Sequence, residues 1–503
     1  MREGSGLPFF WFSTPIYEVD MKVVKWGAGV LAAVTCVVLL VWWAILPPAL
    51  DVPGGREHII SGVTVINPGI ERLVNQSIII RDGRIEEIRA RIDSDPAPVC
   101  EGCFALPGLI DAHVHTPPSF IVGNQRLFAL MYLRYGVTSV RDVGQSDASV
   151  VDFAASLNDG QIVGPYMYRC GPVLEGSPPG WPVARVVDTA EAARNAVMEF
   201  ADRGVDCIKV YNEVNEESFR AIRAAAAERN LPLIGHVPHS VKLGIVENFE
   251  IQHFTGIPYL ASARPPMGWD YRDEDIEAMS DADIAALGEI FIANRLSITP
   301  TLANHTLRLT DSDIERFPPT AGAAHLPAFW TDSWKLVAGH PQGEEAVMRR
   351  IATQPRYDAI VAELHKAGVD VLAGTDTLMP WVVPGESLHL ELARLEKALG
   401  SPEAALKAAT VTSGAHIAPG QIGTLRPGAR ADILVLRDDP TVSLSALSGW
   451  TVVIANGRRY DRETVDGWLA RYDAHFHGVL YNTVVSGLVS RLAKRFSHRH
   501  AED

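Results

Sequence analysis

Leu106-Pro107-Gly108-Leu109-Ile110-Asp111-Ala112-His113-Val114-His115 is the stretch on which the fold turns. A short apolar run opened by Pro-Gly reads as a buried strand. Side chains alternate along a strand, so His113 and His115 share one face at its end. Two imidazoles on one face suit a metal ion, although a single histidine more often serves packing.

Outward from this run, apolar strands recur at 138–142, 166–170, 207–211, 233–236, 250–253, 296–300 and 369–373. Helix-sized spacers separate them, which makes the class α/β and the expected architecture a (β/α)8 TIM-type barrel. Active sites of such barrels lie at the C-terminal strand ends. Those ends carry Lys209, His236, His253 and Asp376 besides the first two histidines. Lys209 alone could be a surface lysine and Asp376 a helix cap. Metal-competent residues at five separate strand ends are much harder to explain that way.

Around the barrel, 53–106 and 420–460 read as two parts of a small composite β-sandwich. Arg81-Asp82-Gly83-Arg84 is a hairpin turn, and Asn456-Gly457 another. The barrel is expected over 107–419. Its longest spacer holds Trp330 and Trp334 and reads equally as a lid or a helical insertion. A helical tail follows over 461–503, with Leu480, Val484, Leu488, Leu492 and Phe496 at i+4, joined by Val485 and Val489. The tail either docks on the barrel or, with Arg491, Lys494, Arg495 and Arg499, lies on a membrane surface.

Trp26 to Leu46 contains no charge, and 23–48 is expected to span a bilayer after a short tail at 1–22. Lys22 and Lys25 precede it and Asp51 follows, which places the bulk of the chain outside the cytoplasm, in the periplasm. A signal peptide cleaved before secretion is the alternative, and Met21 could be the start.

The 503 residues are 47% hydrophobic and 21% charged, ordinary for a globular protein, and the net charge of −15 disfavours a nucleic-acid partner. Of five cysteines, Cys36 lies in the apolar run. Cys100 and Cys103 form either a local disulfide or two thiols, and one such pair is too few for zinc. Cys170 and Cys207 read as buried packing residues.

The opening run resembles that of the amidohydrolase superfamily. Ile208-Lys209-Val210-Tyr211, Gly235-His236-Val237-Pro238, Ile251-Gln252-His253, Thr299-Pro300-Thr301-Leu302, Ala373-Gly374-Thr375-Asp376-Thr377 and Ser387-Leu388-His389-Leu390-Glu391-Leu392 are similar to its prolidase and imidazolonepropionase-like branch. Gly428-Ala429-Arg430-Ala431-Asp432-Ile433 matches its return to the β-sandwich, so the resemblance covers about 55–459. It implies two divalent metals, most often zinc. His113, His115 and Asp376 would hold one, His236 and His253 the other, and a carboxylated Lys209 would bridge them. An ammonium cannot ligate, whereas a carbamate offers anionic oxygens.

The implied reaction is hydrolysis of an amide-type C–N bond, in a dipeptide such as Xaa-Pro or in an N-acyl amino acid, by attack of a metal-bridging hydroxide. Asp376 would carry the proton, and Tyr211 would bind a substrate carboxylate or oxyanion. Cyclic amides, lactones and carbamates are runner-up substrates. His239, His305, His389 and Trp181 are further candidates near the site, each also readable as ordinary packing. A membrane-tethered binding protein is the non-enzyme alternative, and it would have lost a ligand position. Deaminase-like barrels lack the strand-four lysine that Lys209 supplies. Beyond substrate and bilayer, a homo-oligomer is compatible with this class.

Overall fold

The computed structural model describes residues 21–181, 183–241, 245–259, 273–307, 309, 319–337 and 344–491. The chain forms two compact units, Met1–Leu46 and Pro47–Asp503. In the first, Met21–Ile45 is one helix, and its window Ala28–Ile45 has a mean hydropathy of 2.4 and is almost wholly exposed. Its length, roughly 38 Å at 1.5 Å per residue, suits a bilayer core. Length and composition alone support that reading, since a signal sequence has the same properties.

The second unit begins with β1 (His58–Asn67), β2 (Glu71–Arg81), β3 (Arg84–Ala90) and β4 (Phe104–Pro107). Asp82 and Gly83 both adopt positive φ in the β2–β3 turn, as a tight hairpin requires. The barrel follows, with β5 (Leu109–Val114), β6 (Val137–Asp142), β7 (Tyr166–Arg169), the two-residue β8 (Leu174–Glu175) and β9 (Arg185–Val186), then β10 (Ile208–Val210), β11 (Leu233–Gly235), β12 (Phe249–Gln252) and β13 (Ser297–Thr299). Then come β14 (Ile433–Leu436), β15 (Trp450–Ala455) and β16 (Arg458–Asp461).

Parallel pairing runs from β5 through β6 to β7, and from β10 through β11 and β12 to β13. Single hydrogen bonds complete the circuit. Asp206 N donates to Arg169 O at 2.8 Å, Leu372 N to Ile298 O at 2.8 Å, and Ala112 N to Ala373 O at 2.9 Å. This is a TIM-type barrel with fully buried β5 and β6. Its last position, expected as a strand over 369–373, is joined to its neighbours by isolated bridges at Val371 and Thr377 and by scattered backbone hydrogen bonds rather than by a continuous ladder.

The flanking pieces form one seven-stranded sheet in the order β16-β15-β14-β4-β1-β2-β3. β4 joins them because it pairs parallel with β1 and antiparallel with β14. Register shifts in β1 let the sheet curl, and Ile60, Val63, Ile78, Ile433 and Val452 from both pieces share one apolar core.

Two expectations are corrected. Cys170 and Cys207 are buried, but they are bonded to each other as a disulfide that ties the end of β7 to the start of β10. Adjacent barrel strands bring them together, which spacing along the chain does not reveal. Cys100 and Cys103 are also disulfide-bonded. In the tail, Arg462–Phe476 is helical, and after a break at His477 and Gly478 the described chain is helical again to 491. Its buried stripe is Tyr481, Val485 and Val489, whereas Leu480 and Leu488 are exposed. The aromatic ring of Tyr481 takes the inward place. Leu492, Lys494, Arg495, Phe496 and Arg499 lie outside the described residues, as does most of the 1–22 tail.

Candidate metal centre

His113 and His115 leave the end of β5 into the barrel mouth, both buried. Lys209 sits in the middle of β10 and is 1% exposed, so it is no surface lysine. His236 follows β11 directly, and His253 follows β12. The fold brings these residues to one place. Ring centroids are 5.4 Å apart for His113 and His115, 4.8 Å for His113 and His253, and 5.2 Å for His236 and His253. Asp376 lies among them, with Oδ1 at 3.2 Å from His113 Nε2 and 3.4 Å from His115 Nε2, and Oδ2 at 3.8 Å from His253 Nε2.

The Nδ1 atoms show how the rings are aimed. His113 Nδ1 donates to Gln252 Oε1, His236 Nδ1 to Asn212 Oδ1 at 2.7 Å, and His115 Nδ1 to Gly144 O at 3.2 Å. His253 Nδ1 pairs with the Thr301 hydroxyl at 2.6 Å. An oxygen that can only accept requires the proton on Nδ1, which leaves a lone pair on Nε2. This is the arrangement of metal-ligating histidines. Among the described residues, His113 Nε2 is buried without a hydrogen-bond partner. A buried nitrogen beside a carboxylate that it does not hydrogen-bond is costly unless a cation lies between them. His113, His253 and Asp376 place ligand atoms within 4.8 Å of one another. The donor set of neutral imidazoles and a carboxylate fits a divalent transition metal.

Electrostatics agree at two of the rings; at His115 burial would lower the imidazole, but the Asp376 carboxylate prevails and raises it. Burial, and then Lys209 nearby, push the His113 imidazole down to about 3. Burial likewise holds His253 well below its usual range, although Asp376 opposes it. Both are neutral at physiological pH, as ligation requires.

Strain also concentrates here. His253, Thr301 and Asp376 have φ of 58°, 50° and 66°. Left-handed backbone at residues other than glycine costs on the order of 1–3 kcal/mol each and gathers at functional sites.

A buried network behind the rings has no counterpart in the sequence reading. Gln252 Nε2 donates to Glu250 Oε1 at 2.6 Å, and Thr299 Oγ1 does so at 2.6 Å. Arg141 grips Glu250 with both terminal nitrogens, one at 2.9 Å. Burial raises the Glu250 carboxyl, but Arg141 prevails and brings it down to about 2. Asn304 was also missed, and its Nδ2 donates to Asp376 Oδ2 at 2.8 Å. Only the alternation of β12 hints at this role, because Glu250 and Gln252 share a face.

The other candidates are sorted by position. The Tyr211 ring stacks on His236 at 4.1 Å, and Trp181 lies 6.0 Å from His115. His239 pairs with Glu213 at 3.0 Å, and His389 with the Tyr135 carbonyl at 2.8 Å. His305 stacks on Tyr357. None of these three makes a described contact with the cluster.

A model of the amidohydrolase family matches residues 104–459, well over half of the chain. The chain belongs to the amidohydrolase family. It is accordingly a hydrolase acting on carbon–nitrogen bonds, of a family that is usually metal-dependent. This amidohydrolase is 24% identical over 457 residues to ochratoxinase of Aspergillus niger, covering 79% of this chain and 81% of that one. Among solved structures, bottromycin amidohydrolase matches with a TM-score of 0.68 at 23% identity, covering 86% of this chain and 96% of the other. A Xaa-Pro dipeptidase with bound methionine matches with a TM-score of 0.56 at 18% identity, covering 80% of this chain and 100% of the other. At these identities the structural likeness speaks for the fold.

Proposed function

We propose that this amidohydrolase is a binuclear, membrane-anchored enzyme that cleaves the amide C–N bond of a dipeptide or an N-acyl amino acid. The observation that carries the reading is the convergence of four histidines, each engaged at Nδ1, on a buried carboxylate and a buried lysine. The names of similar proteins, a dipeptidase and an amidohydrolase among them, favour amides over other substrates.

His113, His115 and Asp376 would hold one ion, His236 and His253 the other, and Lys209, carboxylated, would bridge the two. Zinc suits the donors. Bound there, the metals would supply a water acidic enough to ionise near neutral pH and a Lewis acid for the scissile carbonyl. Asp376 sits where it can take a proton and return it to the leaving nitrogen, with Asn304 fixing its Oδ2. Tyr211, stacked on His236, would meet a substrate carboxylate or the developing oxyanion. Trp181 covers the side of His115.

The barrel is read as a complete (β/α)8 unit over 107–419, and Met21–Ile45 as an uncleaved anchor. Two disulfides favour an extracytoplasmic, periplasmic body, since such bonds persist in oxidising compartments. The lysines before the helix favour the same side.

The deciding experiment loads the purified full chain with zinc and bicarbonate and screens dipeptides and N-acyl amino acids. Hydrolysis that disappears in Asp376→Asn, with about two zinc ions per chain, is expected. Absence of bound metal would sink the reading. Lys209→Ala should lose the bridge, and unchanged two-metal occupancy would refute it. Protease protection in intact cells tests the side of the membrane.

A further inference from the structure

The Thr116–Gly123 segment leaves β5 at the catalytic end of the barrel, immediately after His115. The body's first residues are pinned to it. A methyl group added at Gly123 would meet the Pro47 ring at 2.8 Å and the Phe476 ring at 3.2 Å. Arg471 donates to the Ala49 carbonyl at 3.3 Å. The tail is fastened at the same spot, where the Tyr481 hydroxyl donates to Val122 O at 2.7 Å and accepts from Asn124 Nδ2 at 2.7 Å. The chain thus enters the body at the rim of the barrel mouth.

That rim carries exposed apolar side chains. Phe120 is 58% exposed, Val479 86%, Leu480 41% and Leu488 57%. Phe120 is two residues from Val122, and Leu480 is next to Tyr481, so they flank one contact. A second exposed apolar group, Ile70, Leu73 and Val74, lies at the β1–β2 turn. Covalent linkage distinguishes the two groups. Pro47 follows Ile45, the last residue of the apolar helix, by two positions, and two residues of chain reach at most about 7 Å.

We propose that this rim rests on a lipid bilayer, with Phe120, Val479 and Leu480 in the interface, so that the metal centre opens at the membrane surface and takes amphiphilic amides. The inference rests on the reading of Met21–Ile45 as a membrane anchor. Aromatic and aliphatic side chains gain from entering the headgroup boundary. A substrate with an acyl tail could then keep the tail in lipid while its C–N bond reaches the histidines.

The test places the full chain in nanodiscs containing lipids with a brominated or spin-labelled acyl chain. Cys36 is the free cysteine among the described residues and takes a fluorophore directly. On a Cys36→Ser background, Phe120→Cys, Val479→Cys and Val74→Cys report three surface positions. Quenching at 36, 120 and 479 but not at 74 is the expected result. Quenching at 36 without 120 and 479 overturns the lipid-facing rim and leaves the anchor intact. No quenching at 36 removes the anchor and the rim proposal together. In the same nanodiscs, the ratio of kcat/KM for an N-decanoyl over an N-acetyl amino acid should fall in F120S/V479S/L480S. An unchanged ratio overturns the amphiphilic preference. Turnover of neither compound overturns that preference and the N-acyl reading with it, while quenching still decides the lipid contact.

Discussion

Gln252 has no metal-binding chemistry of its own, yet it fixes the ring of His113 and is itself held by Glu250. Replacing it with alanine frees the imidazole to rotate and leaves Glu250 short of a donor. Gln252→Ala should weaken metal binding or activity by about 10–100-fold, measured by metal titration beside kcat. Glu391 allows a second test at this scale. Burial pushes its carboxyl up to about 8, although the Ala303 N–H opposes this. A carboxyl with a raised native pKa takes up a proton on folding. Stability from this group is therefore present below its unfolded value of about 4.3 and is lost as pH rises toward about 8. Glu391→Gln should flatten that decline in denaturation curves recorded from pH 4 to 9. The candidate ligand residues were legible because His, Lys and Asp recur together at five strand ends, which ordinary packing does not explain. Gln252, Asn304 and the Arg141–Glu250 pair were not, because amides and ion pairs occur throughout proteins and reveal a role only by what they touch.

At the level of elements, the disulfide between Cys170 and Cys207 joins two neighbouring barrel strands, and Lys209 stands two residues beyond it. Closing a loop of this length, with a separation of 37, restricts the unfolded chain by about 4 kcal/mol. The double alanine variant should unfold at lower urea concentration by about 2–4 kcal/mol, and reductant should then have less effect on it than on the parent. The insertion before the last barrel position reads in sequence as either a lid or a helix. It contains the helix Ala328–Val337, whose Trp330 donates to Asn124 Oδ1 at 2.9 Å while Tyr481 meets the same side chain. Rings continue from Trp330 to Trp334 at 5.9 Å and on to Trp381 at 5.6 Å, in the loop that follows Asp376. Tyr481→Phe removes one hydroxyl from this node. It should cost roughly 1–3 kcal/mol in thermal or urea unfolding. The strand periodicity exposed the barrel, but the tail's inward stripe was misassigned because Tyr481 counts as polar in an aliphatic i+4 pattern.

On the scale of the whole molecule, the alternation of strands and spacers revealed the barrel. The two flanking β pieces were legible as partners in one sheet, but the strand that joins them was not, because β4 pairs with two distant partners. A chain ending at residue 429 lacks β14, β15 and β16 and leaves that edge of β4 bare. Such a truncation should be recovered insoluble or protease-sensitive, checked by limited proteolysis against the full chain. The same pairing bears on how the protein is made. Val435 pairs with Ala105, about 330 residues earlier. At ordinary synthesis rates the ribosome needs roughly 15–65 s to cover that distance. Throughout that interval the nascent chain carries an unfinished, aggregation-prone sheet edge, which closes only when the last strands arrive.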